Sequence, residues 1–186
     1  MPECTSWTCL EPDDRLAKEL SAATSDLRDA FGRAPRVCVA TLNTLGTSPS
    51  FDTILYVDVL EHIEDDRQQV GIAAKLLRPA GHLIVMSPAH QWLFTPFDSA
   101  IGHHRRYSRK TLTACASDDL SLVRLRYFDS VGIAASLANR LFLRASMPTV
   151  GQIAIWDRWM VPLSRKIDPL LGFLAGKSII GVWRRT

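Results

Sequence analysis

Between Asp58 and Asp66 the chain sets five carboxylates and one imidazole within nine positions: Asp58, Glu61, His62, Glu64, Asp65 and Asp66. Directly before them, Thr53 to Val57 is an apolar run with β-branched and aromatic residues, short enough for a strand buried on both faces. A buried strand that ends in charge is how open α/β folds present a ligand site, beyond the carboxyl ends of parallel strands. His62 suits proton acceptance or substrate positioning, and equally well the start of a helix. Glu64 to Asp66 read as solvated first-turn charges. A second group follows in His103-His104-Arg105-Arg106-Tyr107, with His90 and Asp98 upstream. Two arginines beside two histidines can hold a phosphate or carboxylate; they can also form a solvated basic turn. Adjacent histidines with no carboxylate or cysteine at regular spacing disfavour a metal, and Cys4, Cys9, Cys38 and Cys115 form no CxxC pair.

Strands and helices at the right places must position these groups. Thr5 to Leu10 is a short strand, ended by Pro12, and Asp13 and Asp14 favour a helix start. Leu16, Leu20, Ala23, Leu27 and Phe31 recur at helical spacing, a stripe suited to pack on a sheet. Arg36 to Leu42 reads as the second strand. After the central strand, a helix from about Asp65 to Leu77 is stopped by Arg78-Pro79-Ala80-Gly81, and His82 to Ser87 is the next strand. A helix over Ser108 to about Ser117, an alternating strand from Leu122 to Phe128 and a final strand from Ser178 to Arg184 follow, the last two as antiparallel partners. The order predicts an α/β fold with a mostly parallel sheet and flanking helices. It also predicts one domain, with a sheet core over 1–130, a helical insertion or lid over 131–175 and a last strand over 176–186.

The 186 residues carry a net charge of +3, unevenly spread. Residues 1–100 have 8 Lys/Arg against 14 Asp/Glu, and residues 101–186 have 14 against 5. That asymmetry suits an anionic partner for the second half, or two halves that attract each other. The first ten residues lack the basic start and apolar core of a signal peptide, and the longest uncharged stretches of the tail, near Ser130–Asn139 and Ala145–Trp156, fall short of the ~18 residues of a spanning helix. Reduced thiols and a cytoplasmic location are the expectation.

The motifs FDTILYVDVLEHI, LRPAG, HLIVMSPAH and GHHRRYSRKTL, in this order and spacing, resemble the class I S-adenosylmethionine-dependent methyltransferases. The resemblance spans roughly Trp7 to Leu112, with an echo in GKSIIGVWRR. It implies a Rossmann-like fold, S-adenosylmethionine as cofactor, and methyl transfer to a small-molecule or lipid-like acceptor. It implies that Glu11, followed by Pro12, accepts from the ribose hydroxyls, as a strand-end carboxylate does in dinucleotide folds. Thr41 and Leu42 then face the adenine, where family members usually carry Gly-Asp. Asp58 lies near the methionine part and the reacting methyl. His62, His90 and Asp58, in that order, are the candidate bases for a hydroxyl acceptor, and His103, His104, Arg105, Arg106 and Tyr107 form the acceptor side. Nothing in the transfer requires a metal.

One family part is missing. Class I methyltransferases carry a glycine-rich loop after their first strand, shortly before the acidic strand end, whereas the first glycine here is Gly32. The first strand and helix of the fold are expected to lie before residue 1 or to be absent, leaving apolar sheet edges open to pairing. The alternative to an enzyme is a degenerate methyltransferase-like module that binds a protein or nucleic acid through its basic half. Nucleic acid is disfavoured by the lack of an interleaved aromatic motif. From Val131 to Ala175, Phe142, Trp156, Trp159 and Phe173 stand among Arg140, Arg144, Arg158, Arg165 and Lys166. This pattern suits a lid over a hydrophobic acceptor, peripheral contact with an anionic membrane, or an ordinary helical cap.

Overall fold

The structure, a computed structural model, describes residues 6–27, 32–46, 51–138 and 150–186. They fall into two compact units, Met1–Thr47 and Ser48–Thr186.

In the first unit, β1 (Thr8–Leu10) pairs in parallel with β2 (Arg36–Cys38), Cys9 opposite Val37. Helix α1 (Asp14–Thr24) connects them and starts as its sequence dictates, with Asp13 Oδ1 accepting the Leu16 N–H at 2.9 Å. The second strand is shorter than expected. It stops at Cys38, and Leu42 opens a 3-10 turn, because the backbone N–H and hydroxyl of Thr44 both donate to the Thr41 carbonyl, at 3.1 and 2.8 Å. The apolar stripe of α1 also differs from expectation: Leu16 and Leu27 are exposed and Ala17 is the buried residue. A two-stranded sheet offers a helix little surface to cover. Phe31 lies outside the described residues.

The second unit holds a four-stranded sheet in the order β3-β4-β6-β5. Strand β3 (Phe51–Val57) is followed by α2 (Asp66–Leu76) and β4 (Leu77–Pro88), a parallel strand–helix–strand unit. Strand β6 (Ser178–Arg185) runs antiparallel to both β4 and β5 (Leu120–Phe128). Three of these four strands therefore point one way, and the mostly parallel Rossmann-like sheet is present. Asp65 Oδ1 caps α2 by accepting the Gln68 N–H at 2.9 Å. The LRPAG stop falls inside the strand rather than before it. Leu77 already pairs with Phe51, the register shifts, and His82 pairs with Thr53. Gly81 permits this, since a Cβ there would stand 2.9 Å from the Arg78 carbonyl and 3.0 Å from that of Asp52.

The core lies between α2 and the sheet, with Val70, Ala73 and Leu76 against Leu83, Val85 and Trp183, all buried. Among the described strands β3 pairs with β4 alone, and Leu55 and Val57 on it are 40% and 51% exposed. Short helices α3 (Pro96–Ala100) and α4 (Arg109–Thr113) precede β5. Between β5 and β6 come α5 (Ser130–Ala138), then α6 (Val150–Ile155), which continues through a π turn at Trp156–Met160 into α7 (Val161–Leu170). Arg140, Phe142 and Arg144 lie outside the described residues. Buried polar groups tie α7 to the end of β5. Asp168 accepts from the Asp129 and Ser130 N–H groups at 2.7 and 3.0 Å, and the Ser164 hydroxyl donates to Asp129 Oδ1 at 2.8 Å.

Candidate active site at the end of strand β3

The chain leaves β3 through Asp58, whose φ of 51° lies in the left-handed region that L-residues seldom adopt. Its N–H is held by the Met86 carbonyl at 2.9 Å. Asp58 is exposed, yet partial desolvation pushes its carboxyl upward, opposed first by the Lys177 ammonium and then by the neighbouring His103 and His62. A 3-10 turn over Leu60–His62 then places Glu61 inward and His62 outward.

Glu61 has no exposed surface, and neither carboxylate oxygen has a hydrogen-bond partner among the described residues. Burial pushes its pKa up to about 7. Its own amide and the Ser87 hydroxyl pull the other way, but neither completes a bond of good geometry. His103 faces it, Nε2 standing 3.8 Å from Glu61 Oε1. The other nitrogen of His103 lies 3.1 Å from Asp98 Oδ1, and burial pushes the imidazole below its ordinary value. His62 meets the His103 ring edge-on, centroids 4.5 Å apart.

The second cluster forms the wall behind these groups. Asp98, buried, is gripped by Arg106 through Nε at 2.9 Å and Nη2 at 3.0 Å, and by the Thr95 N–H and hydroxyl at 2.8 and 2.9 Å. Arg105 pairs with Asp66 at 2.7 Å and donates to the Glu64 carbonyl. Tyr107, fully buried, donates to Asp66 Oδ2 at 2.8 Å. Asp66 is thus no solvated helix-start charge. Burial alone would raise its pKa, but the Tyr107 hydroxyl and Arg105 outweigh burial and hold the carboxyl below its usual range. His104 is exposed, with its N–H on the Glu61 carbonyl at 2.8 Å.

His90 lies outside the group of Glu61, His62 and His103. It has φ 66°, its ring stacks on Tyr127 at 4.8 Å, and burial lowers its pKa. In the first unit Glu11 directly follows β1. Its Oε1 accepts the Asp13 N–H at 2.9 Å, and its carbonyl takes the Ala40 N–H beyond β2. Parallel pairing therefore sets Glu11 beside the segment leading to Thr41 and Leu42. Pro12 and Thr41 are exposed and Leu42 is buried.

Sequence reading gave Glu61 no role and passed over Lys177. An acid in a helix-start run looks solvated, and only the fold reveals that the 3-10 turn points it inward. Lys177 packs its ammonium 3.9 Å from the Trp156 ring centre, and burial lowers its pKa against the pull of Asp129.

No protein-family model matches the chain, and no curated protein does. Solved structures do. A Galdieria sulphuraria protein assigned as a sarcosine dimethylglycine methyltransferase superposes with a TM-score of 0.63 at 18% identity, over 97% of this chain and 70% of that one. An S-adenosylmethionine-dependent methyltransferase from Mesorhizobium loti gives 0.61 at 16%, over 98% and 81%. The [4+2]-cyclase SpnF gives 0.59 at 11%, over 97% and 66%. The fold is that of the class I S-adenosylmethionine-dependent methyltransferases, as the motifs imply. A cyclase shares it, so the fold by itself does not name the reaction.

Proposed function

We propose that the chain transfers a methyl group from S-adenosylmethionine to a small-molecule or lipid-like acceptor. The observation that carries this reading is the convergence of Asp58, Glu61, His62 and His103 beyond the carboxyl end of β3, where open α/β folds hold their ligands. Residues in each unit suit a part of the cofactor. In the first unit, Glu11 offers a carboxylate for ribose hydroxyls, with Pro12, Thr41 and Leu42 for the base; in the second, Asp58 is the residue for the methionine part. When bound, S-adenosylmethionine supplies a methyl group already activated as a sulfonium.

The chain's own residues orient the acceptor and, for a hydroxyl, take its proton. His62 is the first candidate because it is exposed at the strand end; His90 and Asp58 follow. Arg105 and Arg106 are committed to Asp66 and Asp98. In this reading His103, Arg105, Arg106 and Tyr107 serve the acceptor mainly by fixing the wall, and exposed His104 makes direct contact.

A lipid-like acceptor, or an anionic membrane that presents one, is favoured by the helical insertion. Ile155, Trp159 and Leu163 recur every four residues with exposed side chains, continued by Leu170 and Leu174 and flanked by Arg158, Arg165 and Lys166. No helix of the described residues is long and apolar enough to cross a membrane. A cytoplasmic setting fits the free thiols of Cys9, Cys38 and Cys115.

The test is transfer of label from methyl-labelled cofactor into a mixed small-molecule and lipid extract. Label should enter an extractable product, and His62→Gln should lower the rate. No transfer at any acceptor concentration would favour the non-enzymatic module acting through its basic half.

A further inference from the structure

Glu61, His62 and His103 carry a second meaning that stands whether or not the cofactor reading is right. One ligand atom from each lies within 4.8 Å of the other two. The Glu61 carboxylate is fully buried, with neither oxygen hydrogen-bonded among the described residues. An ionised carboxylate is held in such a place only with a compensating cation. His103 is that cation only when doubly protonated. Asp98 Oδ1, 3.1 Å from Nδ1, takes the proton on that side, so a neutral ring turns its Nε2 lone pair toward Glu61 Oε1, 3.8 Å away. Two acceptors then face each other across a gap, and the imidazole of His62 closes the third side, 4.5 Å from the His103 ring.

We propose that Glu61, His62 and His103 bind a divalent first-row transition-metal ion, zinc before the others, with Asp98 orienting His103 from behind. Two imidazole nitrogens and one carboxylate suit zinc or its neighbours and do not suit magnesium or calcium, which prefer oxygen ligands throughout. The carboxylate behind a ligating histidine is the usual device for fixing its tautomer. Ligand atoms of a tetrahedral zinc ion, each about 2.0–2.1 Å from the metal, lie about 3.4 Å apart. The three atoms, up to 4.8 Å apart, therefore have to close by up to roughly 1.4 Å, through rotation of the exposed His62 ring and a small shift of Glu61 toward His103. Three protein ligands leave at least one coordination position, on the solvent side of His62. Spacing along the chain argued against a metal because Glu61 and His62 reach His103 only through the fold.

The experiment is zinc binding to tag-free, chelator-stripped chain, by competition with a chromophoric indicator and by elemental analysis, followed by cobalt substitution. One zinc per chain is expected, with His62→Gln and His103→Gln each weakening it more than about tenfold, His82→Gln leaving it unchanged, and a cobalt spectrum indicating nitrogen ligation. His62 is exposed, so His62→Gln should keep the far-ultraviolet circular dichroism of the parent even where changes at buried Glu61 or His103 unfold it. Absence of saturable zinc binding, or binding that survives His62→Gln undiminished, would overturn the proposal.

Discussion

Nδ1 of His103 stands 3.1 Å from Oδ1 of Asp98, and the same carboxylate is clamped by Arg106 and by both donors of Thr95. One buried acid thus fixes the ring that faces Glu61 and neutralises the arginine beside it. Removing it leaves Arg106 buried and uncompensated, the costly half of a broken ion pair. Asp98→Ala should destabilise the fold by about 3–5 kcal/mol in urea denaturation. A loss below about 1 kcal/mol would mean that the carboxylate does not hold this wall together.

Tyr107 and Asp66 form the second anchor, 2.8 Å apart. Tyr107→Phe should cost about 1–3 kcal/mol, since it leaves a largely buried carboxylate oxygen short of a donor. The pH dependence has a definite sign. Asp66 has a lowered pKa in the folded state, so its contribution is present above the ordinary carboxylate pKa and is lost as pH falls through the folded value. The stability gap between the parent and Asp66→Asn should therefore be full at pH 6 and shrink below about pH 4. A gap that widens on acidification would reverse the assignment.

Gly176 lies against the backbone of Phe128, and a Cβ there would overlap the Phe128 N, C and O atoms. Gly176→Ala should cost at least about 1–3 kcal/mol by forcing the end of β5 away from the start of β6. Equal melting temperatures for the two chains would show that this contact is loose.

The fold was largely legible because its signals are local: apolar runs, Asp13 and Asp65 as caps, and the strand–helix–strand order from Thr53 to Ser87. What stayed hidden depended on distance in sequence. Asp66 looks solvated until Tyr107, 41 residues on, is folded onto it, and Glu61 looks like one acid among five until His103 is brought within 3.8 Å. The end of β2 was missed for the opposite reason. Val39 to Leu42 has strand-compatible residues, but the side chain of Thr44 bonds back to the Thr41 carbonyl and makes a turn.

Trp159 is 67% exposed on the stripe with Ile155 and Leu163. Trp159→Asp should leave stability within about 0.5 kcal/mol of the parent and abolish co-flotation with anionic vesicles. A parent chain that does not float with such vesicles would remove the membrane contact.

The central claim is that these residues serve S-adenosylmethionine chemistry, and calorimetric titration of the chain with that cofactor tests it most directly. Saturable heat is predicted, weakened by Glu11→Ala. No heat up to high micromolar cofactor would contradict the claim, and heat unchanged in Glu11→Ala would contradict the ribose assignment.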